Sequence, residues 1–315
     1  MIKVFVDGGA GTTGLRILDR LSGMKDITTT VLPEESRKDA AARRDAILSS
    51  DVTFLCLPDD AAREAVALAE GSDAVLIDAS TAHRTDDGWT YGLPELSRTH
   101  REKITNSKRI AVPGCHASGF IAAVYPLVEA GLVRETARLS CTSLTGYSGG
   151  GKKMIAEYEG EGRSALLGAP RVYGLGQTHK HLPEMKKFSG LRSEPVFTPV
   201  VADFYSGMLV TVPLTADDIS GAGIGAVREI LREKYRGPVI KYSECDDGVV
   251  NDGGFSSAAA LSGTDSMTVT VFGNDERMVL AAIYDNLGKG ASGAAVQCMN
   301  LATGRDETES LVLAG

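Results

Sequence analysis

Apolar positions in the first third of the chain come as short runs separated by stretches of helical period. The pattern predicts strands at Ile2–Val6, Ile27–Leu32, Val52–Leu57 and Ala74–Ile77. Between them it predicts helices at Leu15–Leu21, Ala40–Leu48 and Ala61–Ala69. Strand–helix alternation of this kind implies a parallel sheet covered by helices on both faces. Beyond about residue 116 the rhythm changes. Helical patterns at Ser118–Ala130 and Asp217–Tyr235 separate strand-like runs at Arg138–Leu144, Val196–Val201, Met208–Leu214, Ser256–Leu261 and Met267–Phe272. Strands outnumber helices there, which implies an α+β domain with a mixed or antiparallel sheet. Gly146–Gly151 and Gly160–Gly176 read as long loops, the kind of segment that often carries function. Arg277–Leu287 reads as a helix, and the Gly- and Ala-rich Asp285–Met299 is expected to pack back on the first domain.

The first predicted strand runs into Asp7-Gly8-Gly9-Ala10-Gly11-Thr12-Thr13-Gly14, with a helix to follow. Gly9, Gly11 and Gly14 satisfy G-x-G-x-x-G, in the strand–turn–helix context that gives the motif its meaning. Glycine permits a tight turn and close approach of backbone to a pyrophosphate, whose charge meets free N–H groups at the helix start. Gly8, Gly9, Gly11, Thr12, Thr13 and Gly14 are therefore expected to bind a dinucleotide. After the second strand come Glu34 and Glu35, then Ser36-Arg37-Lys38. An acid here suits the ribose hydroxyls of NAD, whereas Arg and Lys suit a 2′-phosphate. The cationic cluster favours NADP(H). The expected fold is α/β: a Rossmann-type dinucleotide-binding domain (1–116 with 286–315) and an α+β catalytic and oligomerisation domain with a mixed sheet (117–285).

At 315 residues and net charge −8, with no run of basic residues, neither nucleic acid nor an anionic membrane is the expected partner. The five cysteines, at 56, 115, 141, 245 and 298, contain no CxxC pair, so neither a disulfide framework nor a metal site is expected. Reduced thiols and the lack of a basic-then-apolar leader imply a cytoplasmic protein. No apolar run approaches the roughly 20 residues of a membrane span.

One thiol stands apart. Ala111-Val112-Pro113-Gly114-Cys115-His116-Ala117-Ser118 places Cys115 after a Pro-Gly turn and at the mouth of an apolar helix. That position favours a reactive thiolate. Cys56 and Cys141 lie within apolar strand patterns and read as small buried residues. His116 is adjacent to Cys115, but consecutive helical residues do not face one another. The candidate acid–base residues are instead His179 and His181 in Gln177-Thr178-His179-Lys180-His181-Leu182-Pro183-Glu184, which share one side of an extended segment. His83 and His100 read as exposed loop histidines.

Taken together, Gly8–Gly14, Asp78-Ala79-Ser80-Thr81-Ala82-His83-Arg84, Pro113–Gly119, Gly146–Lys153, His179–Glu184 and Asn286–Gln297 resemble the shorter form of N-acetyl-gamma-glutamyl-phosphate reductase, an enzyme of arginine synthesis. The resemblance spans nearly the whole chain. It implies that the Cys115 thiolate attacks an acyl phosphate, that inorganic phosphate leaves, and that NADPH reduces the resulting thioester to an aldehyde, with a histidine moving the proton. It further implies that Ser80 and Arg84 bind the departing phosphate. Ser118, Tyr147, Ser148, Gly149 and Glu184 would line the substrate pocket, and Asn286 and Gly288 would contact the nicotinamide side of the cofactor. A homodimer or homotetramer is implied as well. An aspartate-semialdehyde dehydrogenase is the near alternative, against which His-x-His-x-Pro-Glu argues. A non-catalytic NADP-binding regulator is a more distant one, with no need of a reactive cysteine.

Overall fold

The computed structural model describes residues 1–315. The chain opens with β1 (Ile2–Asp7), α1 (Thr12–Ser22), β2 (Ile27–Thr30), α2 (Ala40–Leu48), β3 (Val52–Leu55), α3 (Asp59–Leu68) and β4 (Val75–Asp78). Then come β5 (Thr90–Tyr91), α4 (Arg98–Thr105) and β6 (Arg109–Ala111). These strands form one parallel sheet in the order β2-β1-β3-β4-β6-β5. Side chains alternate across it as the two-residue period of a strand requires. Val4, Val6, Phe54 and Ile77 enter one buried cluster, and Phe5, Leu55 and Leu76 enter the other. Both faces are thus apolar, as the short uninterrupted runs of the sequence imply.

The remainder runs α5 (Cys115–Glu129), β7 (Ser140–Gly146), α6 (Gly151–Glu159), β8 (Arg171–Val172), α7 (Leu182–Ser189), β9 (Val196–Ala202) and β10 (Met208–Thr215). It continues through α8 (Ile224–Lys234), β11 (Ile240–Tyr242), β12 (Met267–Gly273) and β13 (Arg277–Tyr284) to α9 (Gly293–Ala302). The second sheet has the order β11-β12-β13-β10-β7-β9-β8. It is mixed: β7–β9 and β11–β12 are parallel and the other pairs antiparallel. Helices α5 and α8 cover one face. On the other, Leu144, Val200, Leu209 and Val279 stay half-buried while their strand neighbours are buried.

Chain contacts divide the molecule into two compact units: Met1–Pro113 with Ala291–Leu311, and Gly114–Gly290 with Val312–Gly315. The division falls at 113/114 and 290/291, a few residues from the expected 116/117 and 285/286. The last four residues go with the second unit, where Asp265 accepts the Val312 N–H. In the first unit α9 lies among α1, α4 and β4, with Ala295, Val296 and Met299 fully buried.

Three elements differ from the sequence reading. Arg277–Leu287 is not a helix, because β13 lies between β10 and β12 and is buried on both faces, which removes the alternation that marks a strand. Ser256–Leu261 pairs with no strand and forms turns. The helix expected over Asp217–Tyr235 is broken where Ser220 and Gly221 adopt left-handed backbone, leaving a short 3-10 turn before α8. Gly146–Gly151 is less irregular than expected, being a 3-10 turn that leads into α6.

Candidate active site

In the first unit, the turn between β1 and α1 is shaped by backbone. Gly8 has φ +85°, and a Cβ there would lie 2.3 Å from the Cys56 carbonyl oxygen. A Cβ on Gly14 would lie 2.7 Å from the Gly8 oxygen. Gly11 is the N-cap of α1; its N–H donates to Gly8 O at 3.0 Å, no side chain caps the helix, and the first turn holds no acid. The N–H groups around Thr12 and Thr13 therefore suit an anion. One cavity is lined by Gly8, Gly9, Ala10, Val31, Leu32 and Arg37, a second by Gly11–Gly14 with Cys56, Leu57 and Ala79. A cradle that any Cβ would fill, at an uncapped helix mouth, fits a dinucleotide.

Beneath the loop, Asp7 is buried, and burial holds its carboxyl above the usual range even with Arg43 beside it. Arg43 Nε donates to Asp7 at 3.0 Å, and the same guanidinium reaches Glu64 and the Ala61 carbonyl. This buried cation keeps Asp7 from opposing a phosphate. Nothing in the helix-period pattern of Ala40–Leu48 distinguishes Arg43 from a surface arginine, so the sequence reading missed it.

Of the cofactor-specificity candidates, Arg37 lines the first cavity and also pairs with Glu34 at 2.9 Å, both side chains exposed. Such a surface pair is worth about 0–1 kcal/mol, a weak competitor for a phosphate. Ser36 is half-buried with its hydroxyl toward Pro33 O, and Lys38 is exposed. At the end of β4, Asp78 gathers the Ser80 N–H and hydroxyl, both at 2.8 Å, and His83 Nδ1 at 2.7 Å. His83 is buried and stacked on Trp89, ring centroids 4.3 Å apart, so it is not an exposed loop residue. His100 is half-buried, its Nε2 2.6 Å from Tyr91 O. Arg84 is buried and donates to the carbonyls of Val112 and Ala79.

In the second unit, Gly114 is the N-cap of α5 and Cys115 its first residue, half-buried, in a first turn without acids. The contrast with other thiols is physical. Burial pushes Cys56 up to about 12 and Cys141 higher still, so both are poor nucleophiles. Glu184, buried on α7, accepts the Gly114 N–H at 3.0 Å and so ties the turn before Cys115 to α7. Ser118 is buried and donates back to Gly114 O within the helix.

His116, His179 and His181 converge. Their ring centroids lie 5.5 Å (116–179), 5.5 Å (116–181) and 4.6 Å (179–181) apart, with Phe197 and Tyr173 against them. His116 is buried, with Nδ1 2.7 Å from Ser143 Oγ and Nε2 2.6 Å from Tyr173 OH. Burial, then the neighbouring His179 and Lys180, pushes it down to about 3. It is neutral at neutral pH with both nitrogens engaged, a framework residue and not a proton carrier. His179 Nδ1 accepts the His181 N–H at 3.2 Å, which leaves the proton of its neutral ring on Nε2. His181 is buried at the N-terminus of α7.

The remaining candidates fall in one neighbourhood of this unit. Tyr147 is half-buried, stacked on Tyr158, and donates to Glu159. Ser148 is buried and accepts Asn286 Nδ2 at 3.0 Å; Gly149 is exposed beside the same amide. Asn286 also accepts the Gly207 N–H at 2.9 Å, so both ends of its side chain serve contacts inside the unit. The Gly288 N–H donates to Asp285.

Comparison with known proteins agrees with this division. Residues 3–104 match the semialdehyde dehydrogenase NAD binding domain, and residues 115–286 match the semialdehyde dehydrogenase dimerisation domain. The chain is 43% identical to the N-acetyl-gamma-glutamyl-phosphate reductase 2 of Nostoc sp., covering 97% of this chain and 98% of that one. It is 41% identical to the protein of the same name from Pseudomonas putida, covering 96% of each. The chain belongs to the N-acetyl-gamma-glutamyl-phosphate reductase family. Among solved structures, aspartate semialdehyde dehydrogenase II of Vibrio cholerae has the same fold, with a TM-score of 0.73 at 19% identity over 96% of this chain and 98% of that one. An aspartate semialdehyde dehydrogenase from Candida albicans, solved with NADP, aligns with a TM-score of 0.66 at 16% identity over 96% of this chain and 98% of that one. Ser143, Tyr173 and Tyr284 are the residues around the Cys115–His116 turn that the sequence pattern does not single out. Tyr284 is a polar side chain at the end of an apolar run and Tyr173 lies in a glycine-rich loop, whereas Ser143 sits among the serines and threonines of β7 and carried no signal.

Proposed function

We propose that this chain reduces N-acetyl-L-glutamyl 5-phosphate to N-acetyl-L-glutamate 5-semialdehyde with NADPH, releasing inorganic phosphate, through a thioester on Cys115. The observation that carries the reading is Cys115 at the open mouth of α5, in the same unit as the paired His179 and His181. The Cys115 thiolate attacks the acyl carbon; a C–S bond forms, the bond between the acyl carbon and the phosphate oxygen breaks, and inorganic phosphate departs, with Arg84 and Ser80 as the residues that the family resemblance implies for phosphate. The glycine loop Gly8–Gly14 holds the dinucleotide, with Arg37 and Lys38 toward the 2′-phosphate. When bound, the reduced nicotinamide supplies the hydride for the thioester carbon. His179, with His181 as the second candidate, gives a proton to the oxygen of the thiohemiacetal and takes it back as the C–S bond breaks. The aldehyde then leaves and Cys115 departs as thiolate. Splitting the reduction this way replaces one difficult step with two easier ones.

Ser118, Tyr147, Ser148, Gly149 and Glu184 shape the substrate side; Asn286 and Gly288 are the late-chain residues that the family resemblance implies for the nicotinamide end of the cofactor. A cytoplasmic homodimer or homotetramer is the working assembly, using the half-buried sheet face of Leu144, Leu209 and Val279. No helix is long and apolar enough to cross a membrane.

Phosphate-dependent reduction of NADP⁺ with N-acetyl-glutamate semialdehyde tests the reading, with aspartate semialdehyde as competitor. The acetyl cap removes a positive charge, and Gly146–Gly151 carries no acid to receive an ammonium group. A kcat/KM for aspartate semialdehyde equal to or above that for the acetylated aldehyde would reassign the substrate and leave the Cys115 chemistry standing.

A further inference from the structure

We propose that Tyr284 is a positioning residue for Cys115, its hydroxyl bridging the Cys115 carbonyl and the Gly119 N–H so that the first turn of α5 is fixed from the sheet side. The proposal rests on the reading of Cys115 as nucleophile.

The geometry is specific. Tyr284 ends β13, fully buried, opposite Met208 of β10 and Met267 of β12, so strands on both sides hold its ring. Its hydroxyl donates to Cys115 O and accepts from Gly119 N at 3.1 Å. Those two groups are the i, i+4 partners of an α-helix, so the hydroxyl sits across one rung of the ladder. The approach depends on glycine: a Cβ at 119 would lie 2.6 Å from the Tyr284 oxygen and 2.7 Å from its ring. Burial, and then the charge of Cys115, lifts the Tyr284 phenol well above its ordinary value, so it stays a donor.

A second hold comes from the residues that follow. Asp285 is buried; Oδ1 accepts the Leu287 N–H at 2.7 Å and the Gly288 N–H at 3.2 Å, while Oδ2 accepts the Ser206 hydroxyl at 2.8 Å. This fixed turn brings Gly290 against the nucleophile, where a Cβ would lie 3.1 Å from Cys115 Cβ. The carbonyl of Cys115 and its Cβ are thus both held by residues 284–290. A helix-mouth field acts within the first turn only, and attack on an acyl carbon tolerates little displacement, so loosening this turn weakens the thiolate and its aim together.

Tyr284→Phe keeps the ring and removes the bridge. We expect kcat to fall roughly 10- to 100-fold with KM for aldehyde and NADP⁺ changed less than about twofold. We also expect the pH midpoint of Cys115 alkylation by iodoacetamide, read by mass spectrometry at Cys115, to rise by about half a unit. An unchanged kcat overturns the proposal, and so does an unchanged alkylation midpoint. If Tyr284→Phe does not fold, Gly290→Ala is read by the same midpoint: a shift supports the hold on Cys115, and no shift overturns it. Cys115→Ala separates the two ideas. Full activity in that variant sinks the nucleophile reading, whereas an inactive Cys115→Ala beside a wild-type-like Tyr284→Phe sinks only the positioning role.

Discussion

The starts of helices α1 and α5 are built alike and surrounded differently. Helices α1 and α5 both start after a glycine N-cap, Gly11 or Gly114, and neither has a capping side chain or an acid in its first turn. At α1 the neighbouring groups are backbone and small residues, with cavities on either side of the loop. At α5 the helix is almost wholly buried, its first residue is a thiol, side chains from α7 and β13 hold the N-terminus, and the backbone of Gly290 lies against it. In the proposed function the same partial positive charge would serve an incoming phosphate in one case and the Cys115 sulfur in the other. Helices α6 and α8 also start after an uncapped glycine, so an open helix start is not by itself a site, and the surroundings of α1 and α5 are what set these two apart.

The largest break in this comparison is removal of the Cys115 thiol. Cys115→Ala should lower aldehyde oxidation on the order of 10⁴-fold or more, as loss of a nucleophile does, while NADP⁺ binding measured by fluorescence quenching stays near wild type. Cys56→Ser, at a thiol held near 12 beside the other helix mouth, should retain activity. Activity above a few per cent in Cys115→Ala would make the two mouths functionally alike after all.

Next in size is proton transfer. His179→Asn should lower kcat by about 10²–10⁴-fold, with KM changing less. Should His181→Asn give the larger loss and His179→Asn be nearly silent, the role belongs to the buried histidine. His116 should behave differently from both. Its folded value, about 3, is below the 6.5 of the free side chain, so it binds no proton in the fold where the unfolded chain does. Its contribution is fully present above pH 6.5 and is lost as pH falls from 6.5 toward 3, at up to about 1.4 kcal/mol per pH unit. Urea midpoints of His116→Gln should therefore fall less steeply than wild type between pH 6.5 and 4; parallel acid limbs would contradict the assignment.

The two mouths also differ in how far the sequence disclosed them. The glycine loop is contiguous from Gly8 to Gly14 and acts through backbone, so spacing alone announces it. Pro113-Gly114-Cys115 announces the second mouth for the same reason. What holds the turn at Cys115 and His116 is scattered: Glu184, Tyr284 and Gly290 at the first residue, and Ser143 and Tyr173 on the His116 ring, come together only through the mixed sheet and its helices. Tyr284 was hidden twice, because β13 is buried on both faces and its apolar run reads as a helix. His83 was hidden because Asp78, five residues earlier, is the partner that makes a loop histidine a buried one. Local periodicity specified β1 to β4 of the parallel sheet and missed β5 and β6, which at two and three residues are too short to show a pattern. It specified the mixed sheet less well, where buried central strands lose alternation and turns such as Ser256–Leu261 mimic it.

The smallest expected effect sharpens the other mouth. Replacing Arg37 and Lys38 together by Ala should raise KM for NADP⁺ by about tenfold and leave the NAD⁺ value nearly unchanged. A hydrogen bond to a charged group contributes about 1.5–3 kcal/mol, or roughly 10- to 100-fold, and exposure argues for the lower end. Arg37 is 45% exposed in its side chain and already engages Glu34, so phosphate binding exchanges one weak pair for another partner. Losing Arg37 also leaves Glu34, the type of acid that accepts ribose hydroxyls of NAD, in place, so the NAD⁺ value is not expected to suffer. Raising ionic strength should shrink the NADP⁺ preference of wild type and leave the double variant unmoved. Equal losses with both cofactors would show that Arg37 and Lys38 do not read the 2′-phosphate, and that the preference, if measured, arises from another part of the cavity lined by Gly8, Gly9 and Val31.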